Sequence, residues 1–422
     1  MARQTLTNGF LSGFMHVGLA LVLLAYLPIA FLCRLVYRLL IRPFAAGEDL
    51  RGKVVLITGA SSGIGENLAY EYARKGACVA LVARTEIALR AVAKTARELG
   101  APDTLVVPAD ITNVDEAKRA VEETVAHFGK LNHLVANAGV WSSCFFEEIT
   151  NVSAFQNVMD LNFWGAVYPT YFALPYLKAS RGNIVVTASV AGRVPVARMS
   201  FYNASKAAVI RFYETLRAEV GPHVRVTILM PGYVVSNLTM GKGVQKDGNV
   251  GFDEEARDIN VGPLPVGKTE TLAEVGGGSV RRGDHYVTWP GWYWPFHMVM
   301  CAAPELVDCF SRAFTSPSPA TRTATRSARQ AVGPLPVGKT ETLAEVVVAR
   351  VGRGDHYVTW PGWYWPFHMV MCAAPELVDC FSRAFYVSKS SDKDGDALSK
   401  KILMAVGGNK FYPKNIRSPQ SQ

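Results

Sequence analysis

The chain is predicted to be an α/β protein built on a doubly wound parallel sheet. Three observations carry that prediction. Short apolar, β-branched runs alternate with helical patterns of ten to twenty residues between residues 53 and 231. A glycine-rich turn, Gly59 to Gly65, joins the first run to the first helical pattern. Polar residues stand where later runs end: Asp110, Asn137 and Ser189.

The elements follow in order. Residues 53–58 (KVVLIT) form a buried strand, because a continuous β-branched run suits a parallel sheet covered on both faces. The glycines that follow permit a tight turn and let backbone approach a pyrophosphate at the start of a helix over 66–75. Residues 77–84 are strand, 86–99 helix, 104–108 strand, 113–128 helix and 131–136 strand. Residues 183–188 are strand, 200–220 helix and 224–230 strand, ending in Pro231-Gly232. Alternation of this kind is the Rossmann arrangement, and ligands bind beyond the strand C-termini. Asp110 and Asn137 also suit a helix N-cap and a turn, respectively.

Tyr202 and Lys206 are four apart within the 200–220 helix, so they share a face. An ammonium beside a phenol lowers the phenol pKa towards working pH, and a serine hydroxyl aimed at the same point holds a substrate oxygen. The same spacing also describes an amphipathic pair on a solvated helix face.

Thr58-Gly59-x-x-x-Gly63-Ile64-Gly65, Asp110, Asn137-Ala138-Gly139, Asn162, Ser189, Tyr202, Lys206 and Pro231-Gly232 together resemble the classical short-chain dehydrogenase/reductase family, over about residues 50–260. The stretches LITGASSGIGENLAYEYARKGA, MDLNFWGAVYPT and SFYNASKAAVIRFYETLRAE look most like the plant hydroxysteroid dehydrogenases of lipid droplets, a group also described as 11-beta-hydroxysteroid dehydrogenase-like. That resemblance implies a catalytic set of Asn162, Ser189, Tyr202 and Lys206. Tyr202 exchanges the proton, Lys206 lowers its pKa and holds the nicotinamide ribose, Ser189 holds the substrate oxygen, and Asn162 keeps a water behind Lys206. Implied cofactor contacts are Gly59, Ser61, Ser62, Gly63, Ile64 and Gly65 in the loop. Further along come Arg84, Thr85, Asp110, Ile111, Asn137, Ala138, Gly139, Tyr202, Lys206, Pro231, Gly232 and Val234. The second strand ends in Ala83-Arg84-Thr85 without an acid, which favours NADP(H) over NAD because Arg84 can pair with a 2′-phosphate.

Residues 14–33 carry no formal charge, long enough to cross a bilayer as a retained anchor. Pro28 leaves open a bent segment confined to one leaflet. Arg34, Arg38 and Arg42 follow on one helical face and place the folded part on the cytosolic side, at the endoplasmic reticulum or a lipid droplet. The net charge of +9 sits on this flank, on residues 315–331 and on the tail, which argues against a nucleic-acid-binding face. None of the seven cysteines forms a C-x-x-C pair, so neither a disulfide framework nor a metal site is expected.

Residues 261–314 and 332–385 are near-identical 54-residue cassettes offset by 71. The expected organisation is therefore an anchor and flank (1–46), a dehydrogenase core (47–260), a first cassette (261–314), a polar linker (315–331) and a second cassette with tail (332–422). Only one cassette can occupy the sheet. Gly276, Gly277 and Gly278 replace Val347, Val348 and Ala349, and each glycine costs roughly 0.8–1.0 kcal/mol in a helix. The second copy is thus expected to dock and the first to be displaced. The tryptophan segments (Trp289, Trp292, Trp294; Trp360, Trp363, Trp365) suit a membrane interface, a pocket mouth or core packing.

The expected function is a membrane- or lipid-droplet-anchored NADP-dependent oxidoreductase acting on a steroid-like lipid. A homodimer is implied by the resemblance alone. The alternatives are a reductase of another lipid ketone, or a droplet surface protein whose extra cassette silences the site.

Overall fold

A computed structural model describes residues 47–253 and 267–289. Nine strands occur among them: β1 (Val54–Thr58), β2 (Cys78–Ala83), β3 (Thr104–Pro108), β4 (His133–Ala136), β5 (Asn183–Thr187), β6 (Arg225–Pro231), β7 (Lys242–Val244), β8 (Val250–Phe252) and β9 (Tyr286–Trp289). Seven form one parallel sheet in the order β3-β2-β1-β4-β5-β6-β9, and β7 and β8 form a separate antiparallel hairpin. The chain reverses its direction of travel between β1 and β4. That switch point opens a crevice beyond the strand C-termini.

Both faces of the sheet are buried, as the continuous apolar runs require. Val54 and Leu56 face a core shared with α3 (Val114–Phe128), α5 (Gly165–Ser180) and α6 (Ser200–Val220). Val55 and Ile57 face the opposite core, covered by α1 (Gly63–Arg74), α2 (Glu86–Glu98) and α7 (Thr269–Arg282). Local signals set the ends of α3: Asn113 accepts from the backbone N–H groups of Asp115 and Glu116, and Gly129 closes the helix in the left-handed region. The N-cap is thus Asn113, while Asp110 forms a turn with Thr112.

Residues 140–182 contain elements that apolar periodicity does not reveal. A short α4 (Gln156–Met159) runs through a π-helical turn (Asp160–Trp164) into α5. Helix α5 is apolar on most sides and contains Pro169 and Pro175, so it has neither a polar stripe nor a standard helical composition.

One expectation is reversed. The first cassette supplies α7 and β9, and β9 extends the sheet beside β6 with Ile228 opposite Tyr286. The core therefore runs to Trp289 rather than ending at residue 260. The glycines that weaken α7 as an isolated helix let it approach closely: a β-carbon at Gly277 would lie 3.1 Å from Glu71 Cγ, and one at Gly276 3.5 Å from Leu229. Arg281, which is Gly352 in the second copy, donates to the Glu48 carbonyl at 2.8 Å while Glu48 N donates back to the Arg281 carbonyl. The 14–33 segment, the linker, the second cassette and the tail lie outside the described residues. Among the described residues no helix is long and apolar enough to cross a membrane.

At the N-terminal end of the sheet, Glu48 gathers Lys53, His133, Asn183 and Arg225. Burial pushes its carboxyl up, but the hydrogen bond from His133 and the charges of His133 and Arg225 outweigh this and hold it at about 2.

Candidate active site

The site grows out of the strand ends. Gly59 takes the left-handed conformation (φ 64°) after β1. A β-carbon at Gly65 would lie 2.3 Å from the Gly59 carbonyl oxygen, so only glycine fits where α1 meets the turn. Ser62 at the α1 N-cap makes no side-chain capping bond. The first-turn N–H groups of a twelve-residue helix are left facing the crevice, a ready anion site.

Asn137 stitches three strand ends together. Its Nδ2 donates to the Thr58 and Gly59 carbonyls at 3.2 and 3.4 Å, and its Oδ1 accepts from Thr187 Oγ1 at 3.0 Å. Thr58 Oγ1 accepts from the backbone N–H groups of Asn137 and Ala138. Asn137 is a bracket across β1, β4 and β5, more than a turn residue.

The proton-transfer residues converge at the far end of the cleft. Ser189 follows β5, and the Tyr202 hydroxyl hydrogen-bonds to it. Lys206, one turn further along α6, lies with its Nζ 5.9 Å from the Tyr202 ring centroid and donates to the Thr187 carbonyl at 2.9 Å. The buried positions of Tyr202 and Lys206 exclude a pair on a solvated helix face. Asn162, buried in the π-helical turn, accepts from Val140 N at 2.8 Å and donates to Val140 O at 2.9 Å and to Ser205 Oγ at 2.8 Å. A β-carbon at Gly139 would lie 2.9 Å from Asn162 Oδ1 and 3.3 Å from Lys206 Nζ, so Asn162, Gly139 and Lys206 adjoin. π-Helical turns recur at functional sites, and here one aims Asn162 inwards.

Burial raises the Tyr202 phenol above its ordinary value, with the Ser189 hydrogen bond opposing it. Burial also brings the Lys206 ammonium down to about 8, and its hydrogen bond goes to the Thr187 carbonyl.

A single cleft of about 670 Å³ is lined by every residue of the expected set except Gly65 and Asn162, which stand directly behind it. Arg84, at the end of β2, is exposed on the rim; the nearest following carboxylate, Glu86, turns back to Arg90. The residues present fit a dinucleotide: bare backbone and free helix N–H groups for a pyrophosphate, Asp110 and Ile111 for an adenine, and Lys206 for a ribose. Three contributors went unread in the sequence. Ser205 bridges Asn162 to the Tyr202 carbonyl, Thr187 receives Lys206, and Trp141 walls the cleft beside Tyr202. Ser205 is the only one with a local signal, since it shares a turn with Tyr202 and Lys206.

Known proteins resolve the family. The short chain dehydrogenase family profile matches residues 53–247. An 11-beta-hydroxysteroid dehydrogenase of Pinus massoniana is 49% identical over 262 residues, covering 62% of this chain and 74% of that protein. The chain belongs to the short-chain dehydrogenase/reductase family. The 11-beta-hydroxysteroid dehydrogenase A of Arachis hypogaea is 43% identical over 373 residues, covering 88% of this chain and 86% of that protein. A short-chain dehydrogenase/reductase from Burkholderia phymatum, solved in complex with NAD, superposes with a TM-score of 0.54 at 25% identity, over 61% of this chain and 96% of that one. The resemblance to plant hydroxysteroid dehydrogenases and the assignment to an oxidoreductase family therefore stand.

Proposed function

We propose that the protein is an NADP-dependent oxidoreductase that interconverts a hydroxyl and a ketone on a steroid-like lipid. The observation that carries this reading is the buried Ser189–Tyr202–Lys206 set at one end of a dinucleotide-sized cleft. When bound, the nicotinamide supplies or takes the hydride. The chain's own residues handle the proton and the geometry. Ser189 orients the substrate oxygen beside the Tyr202 hydroxyl. Tyr202, whose phenol form burial favours, donates its proton to a ketone oxygen, and in the other direction its phenolate takes the proton from an alcohol. Lys206 holds the ribose and stands next to the phenol to offset negative charge there. Asn162 clamps the Val140 backbone and keeps the Gly139 wall and the proton path behind Lys206 in place.

Arg84 supports the choice of NADP(H), because a rim guanidinium with no carboxylate partner among the described residues suits a 2′-phosphate. The apolar stretch at residues 14–33 supports anchoring to the endoplasmic reticulum or a lipid droplet, with the catalytic domain facing the cytosol. Where the π-helical turn runs into α5, Trp164 and Tyr171 lie exposed along one side, Trp164 stacked on Tyr168, a surface suited to a second copy in a homodimer. The regular insertion of β9 speaks against a site silenced by the extra cassette.

The test is turnover by the full-length protein in lipid vesicles. NADPH consumption coupled to reduction of a steroid ketone is expected. Absence of turnover on steroid and long-chain ketones with either nicotinamide cofactor, despite cofactor binding, contradicts the reading.

A further inference from the structure

We propose that Trp141 sets the size limit of the substrate chamber, admitting a slim apolar alcohol or ketone to Tyr202 and rejecting one with bulk beside the reacting carbon. This rests on the oxidoreductase reading above and adds a specificity determinant to it.

Trp141 is 4% exposed, lines the cleft and packs with Met199 and Tyr202, so its indole borders the space next to the phenol. The remaining partners in that cluster, Ala191, Val196 and Leu238, are aliphatic. An apolar wall of this kind binds a neutral hydrocarbon skeleton.

The indole is fixed from behind. Its carbonyl accepts from Val244 N at 2.8 Å, and Ser142 pairs with Val244 in an isolated bridge. The β7–β8 hairpin is therefore tied to the segment carrying Trp141. A β-carbon at Gly243 would come within 2.3 Å of Trp141 Nε1, so the ring rests directly on the hairpin backbone. The cavity on that side measures about 10 Å³, room for one water and too small for a swung ring. Aliphatic neighbours can change rotamer to admit a larger guest, whereas the hairpin backbone blocks this ring from retreating to widen the chamber. Trp141 is thus the rigid gauge of the chamber.

The experiment uses the full-length protein, NADPH and pairs of ketones that differ only in an alkyl group beside the carbonyl. Trp141→Ala is expected to raise the ratio of kcat/KM for the bulky over the slim ketone by about tenfold or more, with NADPH affinity unchanged. Trp141→Phe is expected to move the same ratio by a smaller factor, which carries the test if the alanine variant does not fold. A ratio within about twofold of the parent in folded, active variants overturns the inference and leaves the oxidoreductase reading intact. A parent that binds NADPH but reduces no ketone removes both.

Discussion

Lys206 Nζ donates to the carbonyl oxygen of Thr187 at 2.9 Å, fastening the middle of α6 to the end of β5. Thr187 continues the connection through Oγ1 to Asn137, and Asn137 reaches the Gly59 turn. Proton-transfer residues and phosphate loop are thereby held in one frame. Burial lowers Lys206 to about 8, so its charge changes within the working range. The kcat/KM for NADPH, which reports the cofactor-free enzyme, is expected to bend near pH 8. Lys206→Arg retains charge at every accessible pH, so it should lose that bend and lower kcat by roughly 10²- to 10⁴-fold. A bend that survives in Lys206→Arg assigns it to another group.

Arg84 carries the cofactor preference. Its removal deletes charge-assisted hydrogen bonds worth about 1.5–3 kcal/mol. Arg84→Ala is expected to reduce kcat/KM with NADPH by about 10- to 100-fold and to leave NADH within about threefold. Steady-state kinetics with both cofactors check this. Equal losses for the two would show that Arg84 does not read the 2′-phosphate.

Tyr286 decides which cassette completes the sheet. Its hydroxyl donates to Glu214 at 2.7 Å and accepts from Arg217 at 2.9 Å, with the Arg193 and Arg217 guanidinium groups over its ring. Tyr286→Phe removes both hydrogen bonds while Glu214 keeps its ion pairs with Arg193 and Arg211, and is expected to cost about 0.5–1.5 kcal/mol in chemical denaturation. The same change at Tyr357 is expected to leave the midpoint unmoved, since β9 already holds the edge of β6. The reverse pattern would place the second copy in the sheet.

How far the sequence could be read follows from where the physics is local. β1 and the Gly59 turn were legible because β-branched residues and glycines impose their own geometry. Residues 200–220 matched α6 to the residue, since its face is set by side-chain spacing alone. Helix α5 was hidden by two prolines and an apolar surface. The cassette was misassigned because helix propensity is local, whereas the contacts of Gly277 with Glu71 and of Arg281 with Glu48 join residues some two hundred positions apart. Trp141 and Thr187 acquire their roles only through such distant contacts.

Glu48 supplies a pH-dependent fastening at the floor of the sheet. Its folded value of about 2 lies below the ordinary 4.5, so its contribution is complete above about pH 4.5 and is lost as pH falls towards 2. That contribution is roughly 3 kcal/mol. Burial holds the His133 imidazolium below its ordinary 6.5 against the pull of Glu48, so it acts with the same sign: the unfolded chain takes up that proton more readily as pH falls through 6.5. The Tm difference between the parent and Glu48→Gln is expected to be largest near neutrality and to shrink on acidification. A difference that stays constant with pH contradicts the depressed carboxyl.

The most direct test of the whole account is Tyr202→Phe, which removes one oxygen and leaves the ring packed against Trp141 and Met199. Full-length parent and variant should bind NADPH with equal affinity by fluorescence, while steroid-ketone reduction falls by at least about 10³-fold in the variant. Turnover by Tyr202→Phe at the parent's rate would show that the proton comes from elsewhere and that this cleft does not work as described.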